Sequence, residues 1–166
     1  MNPTMNRSAA WLLQVAVVLV GMVVLGFLLW EPHLEGRNAN ATLFEIYFKD
    51  PFLAYVYVGS IPFFVAIHKA FGMFGHAGRK GAFSQASVDA LRTIKRCALG
   101  VIGFVAGAVV IIILTADRED RPAGIFMSLL VTLGSSGIAI VSALAARSLQ
   151  RALRRGEGSL PKIEAT

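Results

Sequence analysis

Four apolar stretches, each as long as a membrane is thick, alternate with polar segments along this chain. A hydrocarbon core about 30 Å thick takes roughly 20 apolar residues per helix, and the stretches at about 9–30, 51–74, 97–116 and 123–146 each supply that number. The pattern predicts an all-α polytopic membrane protein, an antiparallel bundle of four transmembrane helices, with residues 1–166 forming a single membrane domain. Residues 75–96 read as a connection on one side of the membrane, and residues 147–166 as a tail on that same side.

Each stretch carries its own markers. Trp11 and Trp30 stand near the two ends of the first, roughly 28 Å apart at about 1.5 Å per residue, which suits the two aromatic belts of a bilayer. A cleaved signal peptide competes for this stretch, because Arg7 precedes an apolar run. Leu29-Trp30-Glu31 lacks the small residues of a cleavage site, however, and the run is long for such a leader. Pro51 sits well in a first helical turn. Pro62, mid-span, removes a donor and crowds the carbonyl of Val58, so a kink is expected there, compensated by Ser60 or a neighbouring helix. A hinge is the functional alternative to that static kink.

The third and fourth stretches are joined by Asp117-Arg118-Glu119-Asp120-Arg121-Pro122, a loop short enough to make them an antiparallel hairpin. Gly100, Gly103 and Gly107 recur at three and four residues on the third, and Ser128, Thr132, Ser135, Ala139, Ser142 and Ala146 follow a heptad spacing on the fourth. Small residues let helix backbones approach in lipid, so these positions are read as a helix-packing seam. A hydroxyl-lined permeation path is the alternative. Serine commonly bonds back to its own helix, and no charge accompanies these hydroxyls.

Composition adds little to this picture: 55% of residues are hydrophobic and 16% charged, with mean hydropathy +0.64. The formal charge of +6 changes it more. Arg7, the set Lys69, Arg79, Lys80, Arg92, Lys95 and Arg96, and the set Arg147, Arg151, Arg154, Arg155 and Lys162 place twelve cations on one side. The other side has four, Arg37, Lys49, Arg118 and Arg121, with most of the carboxylates beside them. The positive-inside rule then puts both termini in the cytoplasm. Charge is explained as an orientation signal, and no direct nucleic-acid binding is expected.

Arg147, Arg151, Arg154 and Arg155 form a stripe beyond the fourth span, ahead of Gly156 and Gly158. Such a stripe suits anionic lipids at the cytoplasmic face, or an acidic protein partner. In the second connection, Gly72, Gly75, Gly78 and Gly81 are expected to loosen the chain before Ser84, a plausible N-cap. Gln85 to Arg96 then reads as a helix flowing into the third span. Val88, Leu91 and Ile94 face lipid or the bundle, and Asp89 pairs with Arg92. This helix either steers chain re-entry or offers Arg92, Lys95 and Arg96 to a soluble partner.

Candidate chemistry is sparse. Cys97 has no cysteine to pair with. His33 is expected outside while His68 and His76 flank the inner face, so no bis-histidine haem, metal site or other cofactor is expected. Ser60 and His68 are separated by two helical turns, and no nucleophile, base and metal converge as an enzyme requires. Lys69 is counted with the connection, and no acid or base is expected at membrane depth. The five charges of Asp117 to Arg121 neutralise one another. The segment Glu31 to Asp50 is amphipathic, with Leu43, Phe44, Ile46, Tyr47 and Phe48 on the outer bilayer surface. Its Asn40-Ala41-Thr42 sequon matters only in a glycosylating host.

The run Phe44-Glu45-Ile46-Tyr47-Phe48-Lys49-Asp50-Pro51-Phe52-Leu53-Ala54-Tyr55, together with Ser60-Ile61-Pro62-Phe63-Phe64, Phe83-Ser84, Leu91-Arg92-Thr93-Ile94 and Asp120-Arg121-Pro122-Ala123-Gly124, resembles the YoaS-like bacterial four-helix membrane proteins, a family labelled a domain of unknown function. The resemblance covers nearly the whole chain except its last dozen residues. It implies a bacterial inner-membrane protein with four spans, and a regulatory role through the small helix-turn-helix regulators that often neighbour such genes. It brings no catalytic residues. The leading functional expectation is therefore a non-enzymatic regulatory or accessory partner of another protein. The alternative is a small oligomeric transporter or channel lined by the hydroxyl-bearing fourth helix. The four-helix multidrug exporters, of comparable size, use a membrane carboxylate for proton coupling, and it has no counterpart between Ala10 and Trp30.

Overall fold

The computed structural model describes residues 6–30, 44, 51–80, 84–116, 118 and 121–158, and its described elements are helices throughout. They are α1 (Arg7–Trp30), α2 (Pro51–Lys80), α3 (Gln85–Thr115) and α4 (Arg121–Gly158). All four are long and apolar enough to cross a membrane. The Glu31–Asp50 segment other than Phe44, the sequon, the Asp117 to Asp120 loop other than Arg118, Gly81 and the tail after Gly158 lie outside the described residues. Phe44 itself is exposed.

The helices run up and down, and each packs chiefly on its neighbour in the chain. Among the described residues no other pair packs extensively, so the arrangement is an open row with α1 and α4 at its edges. Contacts at the joints are made by missing side chains. Between α1 and α2, Gly21 lies against Ile67 and Gly78 against Ala10, while Tyr57 Oη donates to Leu28 O at 3.2 Å. Between α2 and α3, Gly59 faces Phe104, Gly100 faces Pro62, and Gly107 faces the Tyr55 hydroxyl. Tyr55 Oη donates to Phe104 O at 2.9 Å, and the two rings sit tilted with centroids 5.5 Å apart. Gly124 meets Ile112 between α3 and α4.

One expectation about a helix limit is corrected. The second helix does not end near Phe74: it continues to Lys80, and Gly72, Gly75 and Gly78 are helical. A Cβ at Gly78 would stand 2.7 Å from Ala10 Cβ, and one at Gly75 2.8 Å from Gln14 Nε2. These two glycines bring α2 against α1; they do not loosen a loop. The third helix begins at Gln85 and runs unbroken through Cys97 into the span, as its sequence predicts. Its N-cap is Ser84, whose side chain accepts from Ser87 N at 3.2 Å, satisfying one of the first-turn donors.

Pro62 lies inside α2, which runs through it without interruption. Ser60 Oγ donates to Tyr57 O at 2.7 Å, back into its own turn, and not to the Val58 carbonyl that the proline leaves unpaired. The neighbouring helix supplies room instead, since Pro62 packs where Gly100 has no side chain.

Burial concentrates toward the end where α1 starts, α2 ends, α3 starts and α4 ends, called here the basic end. Ala10, Ala77, Ser87, Val88, Ile94, Ala98 and Ala146 are buried there, and Val88 is fully enclosed. Leu53 and Ile112 are buried toward the far end. Most large apolar side chains of α1 and α4 face outward, as lipid-facing surfaces do when apolar burial between helices gains little.

Candidate interaction surface at the basic end

Ser84 caps α3 so that its first three turns form on schedule, and Val88 and Ile94 then turn inward against the other helices. This fixes the opposite face of the same turns outward. Asp89, Arg92 and Arg96 lie on it, with Lys95 half-buried. Arg92 Nη1 approaches Asp89 Oδ1 at 3.5 Å, while Gln85 Nε2 donates to the same carboxylate oxygen at 3.4 Å. Exposed pairs of this length contribute about 0–1 kcal/mol. The better contact is Arg92 Nη2 to Gln150 Oε1 at 3.0 Å, which ties the start of α3 to the end of α4.

That tie makes one surface of two basic segments. Arg147, Arg151, Arg154 and Arg155 are exposed on α4, on a helix that runs to Gly158. Among the described side chains Asp89 is the sole carboxylate at this end, where Arg92, Arg96, Arg147, Arg151, Arg154 and Arg155 are exposed. Lys69 and His68 are exposed on α2.

The small-residue positions fall out unevenly. Ser128, Thr132 and Ser135 are half-buried, and Ala139, Ser142 and Ala146 buried, along one face of α4. On α3, Gly100 and Gly107 face α2 and not α4, and Gly103 is exposed with open space around it. A two-helix seam including Gly103 is therefore corrected: α3 uses its glycines toward the proline and tyrosine of α2, and meets α4 with Ile112 and Arg92. Ser128 Oγ donates to Gly124 O at 2.8 Å and Thr132 Oγ1 to Ser128 O at 2.7 Å. Their protons are engaged within α4. On its outer side, Leu133, Gly134, Gly137, Ile138, Val141 and Ser142 line an open groove of about 420 Å³.

The other polar residues do not assemble into a reactive site. His76 Nδ1 lies 2.9 Å from Gly72 O of its own helix. Among the described residues no group of three histidine, cysteine or acidic side chains could hold a metal. Cys97 is a half-buried free thiol. One feature escaped sequence reasoning, the α1-facing glycines at 75 and 78. The three-residue spacing of Gly72, Gly75 and Gly78 was the signal for it, since it equals the spacing read as packing elsewhere.

An all-helical chain with four helices fit to cross a bilayer, packed through small residues and cationic at one end, is a multi-pass membrane protein. Residues 37–157 match the family described as protein of unknown function (DUF2975), and the chain belongs to that family. It is 33% identical over 150 residues to a Bacillus subtilis (strain 168) protein described as uncharacterized membrane protein YoaS, an alignment covering 90% of this chain and 94% of that one. No solved structure matches the chain.

Proposed function

We propose that this protein is a non-enzymatic regulatory or accessory membrane protein that binds a partner through its basic end, which faces the cytoplasm of a bacterial cell from the inner membrane. Both termini lie on that side. The observation that carries this reading is the Arg92–Gln150 bond. It joins the cationic start of α3 and the cationic end of α4 into one outward surface over a packed interior that includes fully buried Val88. A surface of predominantly positive charge held on helices suits recognition of an acidic protein face, for which charge sets encounter and orientation. The same cations rest against anionic lipids when no partner is bound.

The test is crosslinking in native membranes with a tag after Thr166, comparing the native chain with a variant carrying Arg92→Glu, Lys95→Glu, Arg151→Glu and Arg154→Glu. The expected result is a specific soluble or membrane partner captured by the native chain and lost from the variant, with the variant still monodisperse in detergent. Equal capture by both would overturn the reading.

A further inference from the structure

The apolar belts of the helices do not line up. Gly21, near the middle of the apolar run of α1, meets Ile67 of α2, whereas Gly107, near the middle of that of α3, meets Tyr55. Along α2 these two contacts are twelve residues apart, about 18 Å of helix at 1.5 Å per residue. The stagger exceeds half of the roughly 30 Å hydrocarbon thickness. A flat slab centred on α3 leaves part of α1 outside it, and mismatch of this kind is met by tilt or by a locally deformed bilayer.

Lys69 stands at the step. On the α1 flank it falls between the contact of Gly21 with Ile67 and that of Gln14, whose Nε2 donates to Phe71 O at 3.2 Å. That is roughly 8 to 18 Å inward from Ala9 along α1. On the α3 flank it lies seven residues beyond the contact of Pro62 with Gly100 and within electrostatic reach of Cys97, where the apolar run of α3 starts. One neighbour places Lys69 among lipid tails and the other places it at the headgroups. Its side chain is exposed and makes no hydrogen bond or ion pair among the described residues. Asp89 is already engaged by Arg92 and Gln85.

A lysine at such depth extends its ammonium toward the interface, where anionic headgroups attract it. We propose that Lys69 binds the headgroup phosphate of an anionic phospholipid of the leaflet at the basic end, drawing that lipid into the step between α1 and α3. The bound lipid covers the α1 flank where a flat bilayer would leave it bare. This site does not depend on the partner surface of α3 and α4.

The experiment is native mass spectrometry of the full chain, purified with equimolar phosphatidylglycerol and phosphatidylcholine of identical tails. The native protein should retain phosphatidylglycerol preferentially, and Lys69→Leu and Lys69→Gln should each lower that preference about fivefold, the worth of one basic residue near an anionic leaflet. Lys69→Arg should restore it. Lys162→Gln, which removes the same charge elsewhere, should leave it intact. Thermal melts confirm that each variant is folded. No preference in the native chain, an equal loss in Lys162→Gln, an unchanged preference in both Lys69→Leu and Lys69→Gln, or displacement of the lipid by excess inorganic phosphate would each overturn the proposal.

Discussion

A glycine at a helix joint is informative in proportion to what stands opposite it. A Cβ at Gly59 would lie 3.1 Å from Phe104 Cβ, backed by the ring itself, and one at Gly107 would collide with the Tyr55 hydroxyl. Gly103, one turn away, has nothing near it. Overpacking a fitted contact costs roughly 1–3 kcal/mol, while glycine to alanine in an open helix position gains up to about 1 kcal/mol. Gly59→Leu should therefore lower the melting temperature in detergent clearly, and Gly103→Ala should hold or raise it. Equal losses in the two would mean that the helices meet on another face. Tyr55→Phe removes the bond to Phe104 O and should cost about 1 kcal/mol, the scale measured for interhelical bonds in membranes.

At the scale of elements, the central turn of events is that α2 continues to Lys80 and α3 begins at Gln85. Ser84 starts α3 by accepting from Ser87 N while its Oγ sits 2.9 Å from Ser87 Oγ. Loss of an N-cap costs about 1 kcal/mol, so Ser84→Ala should raise hydrogen exchange over Ser87 to Asp89 without changing the spans. Unchanged exchange there would show that the cap does not hold this helix start. The four membrane helices, the cap and the run of α3 from Gln85 were legible in the sequence, because hydropathy and capping act locally. The end of α2 was not. Glycine signals a loop and a close helix contact equally, and Ala10 decides between them from a helix far away in the chain. Nor could the spacing of Gly100, Gly103 and Gly107 say which neighbour the glycines face; that depends on the bulk of Pro62, Tyr55 and Phe104 across the joint.

For the whole molecule, an open row of helices leaves both edges to lipid or to partners, and its tightest packing gathers at one end. The cations gather there too, while among the described residues the far end has Arg118 and Arg121, the latter with its Nε donating to Ala116 O at 2.9 Å. A reporter fused after Thr166 should be active inside the cell and silent outside, as the positive-inside rule requires; the reverse would invert the proposed orientation. The functional reading rests on the basic end being a packed helical platform that presents its charges in fixed positions, which a loose glycine-rich connection would not do. The most direct measurement is hydrogen exchange of the native chain in nanodiscs, followed over Gly72 to Gly78 and over Val88 to Arg96. Protection in both segments comparable to that of the transmembrane part of α3 is the result this account predicts. Exchange at the rate of an unstructured chain across Gly72 to Gly78 and Val88 to Arg96 would contradict it.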